Sequence, residues 1–565
     1  MTPMAVQTRR KRFGRVIFGL MACLLLILSA GATPGAAQEA TPLISEPRIV
    51  EAAAVDLSPA LRDIAPRLPQ GSQQAISPRL LEERGPVVPD RGYSGDGALQ
   101  SSYPQQDASL LTPPIVNFEG LSNLDNPFLL SPPDPIGDVG PNHYVEMVNV
   151  VFAVYSKTGT RLLGPIPLGD LWEGFAVDDC TTNAGDPIVL YDQYVDRWLL
   201  TQFSARGPEY FNCVAISQTG DPTGAYYRYA FSSGENFPDY PKYGVWRDSY
   251  YLSTREFGPA GVAGIGAYAL ERRKMVLGDP NARMVSFLLT PGNTPYLGGD
   301  GLLPADADGG RLPPPRTPNF FVGTMDDDGR YNAPFDAVNI FEFSVRWVAR
   351  PFATFRLAAQ LPVASFDSAF PCDFSVSSRA CIPQPDTDNK VDILSYRQRP
   401  MWRLAYRNFI NYETMVTNQS VEARPGIAGV RWYEIRRMNG EYSIHQQGTY
   451  APDDVNRWMG SVAMDRAGNM SVGYSVSSKT VYPGIRYTGR LNSDPLGEMT
   501  LGEAVIINGS GSQLGPSSRW GDYTSMNIDP TDDCTFWYVN QYYETSSPRN
   551  WQTRIASFRL PGCTL

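Results

Sequence analysis

Five aspartates stand at or near the start of short, aromatic, β-type segments, and their side chains could do acid–base chemistry. They are Asp186, Asp192, Asp239, Asp392 and Asp522. Two carboxylates at a defined separation are the acid and base of a glycosidase, so converging aspartates would predict such a site. The alternative is structural, because aspartate beside a strand commonly caps a turn or pairs with arginine. The sequence favours the structural interpretation.

Three arginines directly precede tryptophan: Arg197, Arg457 and Arg519. Converging guanidinium groups would bind the carboxylate of an acidic ligand. The same dipeptide at equivalent positions of a repeat instead favours an architectural role, with each guanidinium stacked on a ring and bonded to a neighbouring loop. We therefore expect these arginines to hold the fold together.

His143 is a candidate general base, because histidine exchanges a proton near neutral pH. The chain has no Gly-x-Ser-x-Gly segment, so no catalytic triad can be assembled around it. The other histidine, His445, lies in a turn-like segment and is predicted to be on the surface.

Acidic loops supply the candidate metal ligands, which are Asp386, Asp388 and Asp392, and two further acidic loops begin at Asp306 and Asp326. Oxygen-rich loops suit Ca²⁺, but none completes an EF-hand pattern. The chain has two histidines and no CxxC pair, which argues against zinc. We expect solvated turns and no cofactor, with a structural Ca²⁺ as the alternative.

Six cysteines lie outside the N-terminal segment that contains Cys23, and an even number in an exported chain predicts disulfides. Cysteines that are close in sequence can reach bonding distance from neighbouring strands. The expected pairs are Cys180 with Cys213, Cys372 with Cys381, and Cys534 with Cys563.

Residues 113–565 alternate apolar and polar side chains between clusters of Gly, Pro, Asp and Asn, which predicts strands and turns. Seven segments share an acidic or Arg-Trp start followed by aromatic strands. They begin at Asp134, Gly185, Asp239, Leu302, Val391, Arg457 and Arg519. Such a unit cannot bury both of its faces alone, so the predicted fold is all-β, a single β-propeller of seven blades.

The ring of a propeller must close, or its first and last blades expose free sheet edges. An isolated β-type segment, Ile115–Phe118, precedes the first repeat. We expect it to pair with the last strand, near Thr553–Arg559, and so complete the terminal blade.

The N-terminus has the three parts of a secretory signal peptide: basic residues at 9–15, an apolar run at 16–28 and small residues up to Gln38. The predicted organisation is a signal peptide over 1–38, a disordered Pro/Ser/Ala-rich leader over 39–112 and the propeller over 113–565. Residues 1–38 hold five basic and no acidic residues, so cleavage changes the formal net charge from −10 to −15. A mature chain this acidic argues against nucleic acid as a partner. Cleavage would leave no stable membrane span, and we expect a secreted, extracellular or cell-envelope protein.

Several segments resemble a widespread family of secreted bacterial β-propeller proteins without a characterised function. They are Asn117-Phe118-Glu119-Gly120, the run from Pro132 to Tyr144, Gly185-Asp186-Pro187, and Arg519-Trp520-Gly521-Asp522-Tyr523. The resemblance implies export and the propeller fold, and it implies no activity. A looser similarity to sialidase-like propellers rests on Ser156–Gly159, which lacks the Asp and Trp of their repeated turn.

The sequence is compatible with two functions. The first is a non-enzymatic module that binds an extracellular glycan, peptide or protein, and the lack of a catalytic motif favours it. The alternative is a glycoside hydrolase or sialidase-like enzyme with its site in the central funnel. The sequence leans against an enzyme.

Overall fold

A computed structural model of the protein describes residues 43–64, 92–103, 110–372, 380–393 and 398–564. Within these ranges the chain forms 31 β-strands and one short α-helix, α1 (Arg272–Val276). The predicted signal peptide, residues 1–38, lies outside the described residues. The all-β prediction is confirmed.

From residue 116 onward the strands form seven antiparallel four-stranded groups, which we call blades 1 to 7. Blade 1 holds β5 (Ile136–Val139), β6 (His143–Val148), β7 (Val151–Ser156) and β8 (Arg161–Pro167). Blade 2 holds β9 (Ile188–Asp192), β10 (Arg197–Phe203), β11 (Tyr210–Ser217) and β12 (Tyr226–Gly234). Blade 3 holds β13 (Phe237–Val245), β14 (Tyr250–Gly258), β15 (Gly261–Leu270) and β16 (Arg283–Thr290). Blade 4 holds β17 (Leu303–Asp308), β18 (Asn319–Met325), β19 (Ala337–Arg346) and β20 (Phe352–Pro362).

The remaining blades follow the same order. Blade 5 holds β21 (Met401–Asn408), β22 (Glu413–Arg424), β23 (Ile427–Met438) and β24 (Glu441–Tyr450). Blade 6 holds β25 (Asn456–Met464), β26 (Met470–Ser477), β27 (Gly484–Arg490) and β28 (Glu503–Ile507). Blade 7 holds β29 (Ser525–Ile528), β30 (Thr535–Tyr543), β31 (Trp551–Arg559) and, from the start of the chain, β4 (Val116–Ser122).

The first strands of successive blades contact one another in a closed ring. The order is β5, β9, β13, β17, β21, β25 and β29, and β29 contacts β5 again. This arrangement is a β-propeller, with the first strands around the axis. Blades 4 and 5 share one eight-stranded sheet, because β17 and β21 pair in parallel from Ala305 with Leu404 to Asp308 with Arg407.

Aromatic side chains fill the space between blades. The ring centres of Trp458 in blade 6 and Trp520 in the connection into blade 7 are 5.5 Å apart. Those of Tyr144 in blade 1 and Trp537 in blade 7 are 5.3 Å apart. All four side chains are buried. Each ring removes a large apolar area from water, which supplies much of the energy that holds the blades together.

The predicted leader is partly folded, so the expectation of disorder over 39–112 needs correction. β1 (Leu43–Ile44) and β2 (Arg48–Glu51) pair with β16, and β3 (Ala54–Leu57) pairs with β12. These segments, of two to four residues, are too short to form a core of their own, but an exposed sheet edge needs only backbone groups from its partner. The parts of the leader at 39–42, 65–91 and 104–109 lie outside the described residues.

The expected ring closure is confirmed. β4 pairs antiparallel with β31, with Phe118 opposite Ile555 and Val116 opposite Ser557. All three expected disulfides are present: Cys180–Cys213, Cys372–Cys381 and Cys534–Cys563. The last of these joins the turn before β30 to the segment after β31. Of the helices in the described ranges, none has the length and apolar character needed to cross a membrane.

Candidate functional site

Residues with left-handed backbone cluster where the chain enters the first strands of the blades. Asp134, Asp186, Gln398 and Ser518 precede the first strands of blades 1, 2, 5 and 7, and Tyr240 lies at a bulge in β13; their φ values are between 42° and 58°. A positive φ is strained for any residue other than glycine, and strain of this kind concentrates at functional sites. These positions therefore mark the part of the propeller to examine for chemistry.

The Asp134 carboxylate and the Asn149 amide together join the starts of blades 1, 2 and 7. The Asn149 amide donates to Asp134 Oδ2 at 2.6 Å, and the backbone N–H of Asp522 donates to Asp134 Oδ1 at 2.6 Å. The backbone N–H of Asp186 in turn donates to Asn149 Oδ1 at 2.9 Å. Asp134, Asp186 and Asp522 thus belong to one hydrogen-bonded assembly.

Asp186 is a carboxyl group without a salt bridge to any described residue. The Tyr523 hydroxyl lies 3.2 Å from Asp186 Oδ2 and also 3.2 Å from the Pro241 carbonyl oxygen. Burial raises the pKa of Asp186 well above its ordinary value, and the carboxylates of Asp134 and Asp239 raise it further. Burial and neighbouring like charges favour the protonated form of a carboxyl group, which is the form that a general acid needs.

Asp522 has the opposite surroundings. Arg519 Nη2 lies 2.6 Å from Asp522 Oδ1, and Arg519 Nε lies 3.4 Å from Asp392 Oδ2. The guanidinium compensates the charge of the Asp522 carboxylate at the point where that carboxylate reaches the site.

Two further aspartates surround this pair. Burial, with the charge of Asp522 next, raises the pKa of Asp134 to about 7. Asp239 stands opposite Arg255 in the β13–β14 register, and burial raises the pKa of Asp239 although Arg255 opposes the shift. We call Asp134, Asp186, Asp239 and Asp522 the axial carboxylates.

A buried lysine lies among them in an aromatic cage. Lys242 Nζ lies 3.0 Å from the ring centre of Tyr240 and 3.7 Å from that of Tyr523, and it donates to the Pro241 carbonyl at 3.3 Å. The central carbon of the Arg399 guanidinium lies 3.7 Å from the ring centre of Tyr240. Burial lowers the pKa of Lys242 well below its ordinary value, and the charge of Arg399 lowers it further. The site therefore combines hydrogen-bond donors, cations and carboxyl groups within a few ångströms of aromatic rings.

The structure brings together some of the candidate residues from the sequence. The axial site contains Asp186, Asp239, Asp522 and Arg519. Asp392 forms an ion pair with Arg519. Sequence analysis did not single out Lys242, Tyr240, Tyr523 or Arg399. A repeated Asp-Tyr dipeptide, Asp239-Tyr240 and Asp522-Tyr523, was the available signal.

Other candidates lie elsewhere in purely structural roles. Asp192 is fully buried and binds Arg272 of α1 through both carboxylate oxygens, at 2.6 and 2.8 Å. Arg197 donates to the carbonyls of Val195 and Asp196 in the β9–β10 turn. Arg457 is fully buried against Asp453 and Glu503.

His143 begins β6 and is half-buried, and burial lowers its pKa. No hydrogen bond joins its side chain to another described residue. His445 is partly buried in β24, so the predicted surface turn is a strand.

The metal candidates from the sequence do not form a cluster. Asp386 and Asp388 are exposed, and Asp386 accepts a hydrogen bond from Tyr482, while Asp392 faces Arg519. Among the described residues, one group of carboxylates has ligand atoms close enough to share a metal ion, and it is Asp326, Asp327 and Asp336. Asp336 is nine residues beyond Asp327 and carries no recognisable motif, so spacing alone could not predict the group.

Neither the family models nor the curated proteins give a match to this sequence. Among solved structures, an endo-arabinase from Bacteroides thetaiotaomicron is similar over 53% of this chain and 92% of its own, with 14% identity and a TM-score of 0.26. An α-L-arabinanase from Penicillium chrysogenum, complexed with arabinobiose, is similar over 58% of this chain and 94% of its own, with 8% identity and a TM-score of 0.29. A polysaccharide lyase, an ulvan lyase, is similar over 83% of this chain and 95% of its own, with 9% identity and a TM-score of 0.32.

These neighbours are enzymes, and they overturn the leaning of the sequence analysis against catalysis. The resemblance to a family of uncharacterised secreted propellers stays a prediction, since no family model matches. At these identities and TM-scores the likeness assigns no residue and no substrate to this chain.

Proposed function

We propose that this chain is a secreted glycoside hydrolase whose reacting groups are the axial carboxylates. One observation carries the proposal. Asp186 has no cation in bonding distance among the described residues and its pKa is raised, whereas Asp522, in the same assembly, is paired with Arg519 at 2.6 Å. A carboxyl group with a raised pKa beside a carboxylate that is paired with a cation offers the two carboxyl groups that glycoside hydrolysis requires.

Asp186 acts as the general acid. Its proton passes to the glycosidic oxygen as the bond from that oxygen to the anomeric carbon breaks, and the bonding electron pair stays on the leaving oxygen. Tyr523 holds the carboxyl group in place through its hydrogen bond at 3.2 Å. Since Asp186 must be protonated, activity falls as pH rises through its raised pKa.

Asp522 acts on the other side of the reacting carbon. Its carboxylate stabilises the positive charge that develops as the glycosidic bond breaks. A water molecule then bonds to the anomeric carbon through its oxygen and gives one proton to the Asp186 carboxylate, which restores the acid. The rings of Tyr240 and Tyr523 provide flat apolar surfaces of the kind that pack against sugars. Export is supported by the signal-peptide pattern and the three disulfides.

A second candidate is elimination from an acidic polysaccharide, and Lys242 is the observation that favours it. Its lowered pKa makes the amine available as a base, which would remove the proton next to a uronate carboxylate. Arg399, stacked on Tyr240, would neutralise that carboxylate. This reaction leaves an unsaturated sugar that absorbs in the ultraviolet, and hydrolysis does not.

The test is a screen of the mature protein against neutral and uronic-acid polysaccharides, with reducing ends and ultraviolet absorbance both recorded. Asp186→Asn should lower the rate of hydrolysis by about 10²–10⁴-fold, the usual contribution of a general acid. Asp388→Asn is the matched control, because it makes the same change at an exposed position. A panel on which the wild type releases no new ends, or an Asp186→Asn variant of full activity, would contradict the proposal.

A further inference from the structure

Three carboxylates converge in the loop between β18 and β19, away from the axial carboxylates. Ligand oxygens of Asp326, Asp327 and Asp336 lie within 4.8 Å of one another. Asp326 is fully buried, Asp336 is nearly so, and Asp327 is exposed. The loop thus gathers negative charge at a place that is closed on one side and open on the other.

Neutral donors hold these carboxylates in position. Asp326 accepts from the backbone N–H of Asp328 at 2.9 Å and from Ser368, through its backbone N–H at 2.8 Å and its hydroxyl. Asp336 accepts from the N–H of Asp327 and from that of Phe366, both at 3.0 Å.

No lysine or arginine of the described ranges forms a salt bridge with any of the three carboxylates. Burial, with the charge of Asp327 as a smaller contribution, raises the pKa of Asp326 to about 6. Burial and the charges of Asp326 and Asp327 raise the pKa of Asp336 to about 7. A group of carboxylates that is fixed by hydrogen bonds but lacks a counter-charge is suited to a cation.

A second observation is independent of the acidic cluster. The side chain of Gln398 is fully buried, and neither its Oε1 nor its Nε2 finds a hydrogen-bond partner among the described residues. A buried amide without partners costs free energy, so it requires an explanation.

The position of Gly329 shows where this amide points. A Cβ atom built on Gly329 would lie 2.8 Å from Gln398 Oε1 and 2.8 Å from both Cβ and Cγ of Asp326. The amide oxygen and the Asp326 carboxyl group therefore face the same small space beside Gly329. Glycine leaves that space open, and any larger residue would fill it.

We propose that Asp326, Asp327, Asp336 and the amide oxygen of Gln398 bind a calcium ion. All four ligands are oxygens, and a mixture of carboxylates with an amide carbonyl is typical of Ca²⁺ sites, with water completing the coordination. Zinc would favour nitrogen and sulfur ligands, which are missing from this group. The ion would supply both the counter-charge for the carboxylates and the partner for the buried amide.

The site connects two blades. Asp326 and Asp336 flank the loop of blade 4, whereas Gln398 precedes β21 of blade 5 and is followed by Arg399, which stacks on Tyr240. Bound calcium would therefore fix the segment that presents Arg399 to the axial site. This inference rests on the loop and on Gln398, and it does not depend on the proposed hydrolase activity.

The experiment is calorimetric titration of the chelator-treated mature protein with CaCl₂, together with melting in the presence and absence of the ion. We expect a dissociation constant of about 10⁻⁴–10⁻³ M, as in other extracellular calcium sites, and a higher melting temperature with calcium. Asp327→Asn should weaken binding at least tenfold, and it will fold because Asp327 is exposed. Asp388→Asn, the same change in the acidic turn that the sequence suggested, should bind like the wild type.

Gln398→Leu gives a second and sharper measurement. It should weaken calcium binding several-fold while leaving the calcium-free protein at least as stable as the wild type, because it removes an unsatisfied amide. Absence of calcium binding, or equal affinity in Asp327→Asn and Asp388→Asn, would overturn the site. Mg²⁺ binding as tight as that of Ca²⁺ would overturn the choice of ion.

Discussion

Blade 6 and the axial site contain the same kinds of residue, but they differ in whether arginine side chains compensate the buried carboxylates. In blade 6, Arg457 lies 2.7 Å from Asp453 and 2.8 Å from Glu503, and Arg486 lies 2.8 Å from Glu503. Although burial alone would raise it, the pKa of Glu503 is lowered, because Arg457 and Arg486 outweigh desolvation. Every charge in this cluster has a partner.

In the axial site, the effect of burial on the carboxyl pKa values outweighs that of the nearby cations. The pKa values of Asp134, Asp186 and Asp239 are all raised, although Arg519 belongs to the same Arg-Trp pattern as Arg457. Buried carboxyl groups with raised pKa values are common at functional sites, so the axial carboxylates are suited to the acid–base role proposed above.

The largest expected effect separates the two regions by the sign of a stability change. Arg457→Met leaves Asp453 and Glu503 without their main partner and should cost about 3–5 kcal/mol of unfolding free energy. Asp186→Asn removes a carboxyl group that has no salt bridge and can keep the Tyr523 hydrogen bond, so it should leave the protein as stable or more stable. Thermal melting at neutral pH measures both, and an equal loss in the two variants would break the comparison.

Glu146 tests whether the lack of a counter-charge is enough by itself to raise the pKa of a buried carboxyl group, as in the axial site. This buried carboxyl group accepts from the Leu121 N–H at 2.8 Å and lies 2.5 Å from the Thr553 hydroxyl, which also donates to the Leu121 carbonyl at 2.7 Å. A hydroxyl has one hydrogen, so a protonated Glu146 that donates to Thr553 satisfies all of these groups. Burial raises the pKa of Glu146 to about 7.

Glu146→Gln imitates the protonated form at every pH. The wild type binds a proton here in the folded state that the unfolded chain releases near its ordinary pKa, so its stability falls as pH rises from about 4.5 through 7. At pH 8 the variant should be more stable than the wild type by about 2–3 kcal/mol, and near pH 4 the two should be alike. Urea unfolding at both pH values measures this, and a variant that is less stable at pH 8 would refute the assignment.

The smallest effect is expected for Glu503→Gln, with the opposite dependence on pH. A lowered pKa contributes stability above the ordinary value of about 4.5, and that stability is lost as pH falls through the folded-state pKa. The variant should lose about 1–2 kcal/mol at pH 7, because a neutral amide replaces one partner of Arg457. The loss should shrink in acid, and urea unfolding at pH 7 and pH 3.5 tests it.

The sequence predicted the parts of this protein that depend on repetition and proximity. Strand alternation predicted the propeller, and short spacing predicted the disulfides, such as Cys372–Cys381. Placement of Asp186 and Asp522 at the starts of segments predicted that they could converge. Their opposite electrostatic surroundings could not be predicted, because these depend on which cation each side chain reaches.

Partners that are distant in the chain explain the remaining differences. Asp192 is structural because Arg272, on a short helix 80 residues away, reaches it from blade 3. The leader strands were missed because these short segments gain stability from the edges of sheets already formed by other residues. The acidic loop at Asp326 was singled out in the sequence, but the rest of the proposed calcium site was missed for the same reason, since Gln398 comes from a different blade than Asp326.

The pairing of β4 with β31 sets an order of events during synthesis. Asn117 and Arg554, which bond across this pair, are 437 positions apart. A ribosome that adds about 5–20 residues per second needs about 20–90 s to go from one to the other. During that time the apolar side chains of Val116 and Phe118 have no partner strand to pack against. The ring is completed by the last strand to be made, so a chain that stops early has both a free sheet edge and an unmatched first strand.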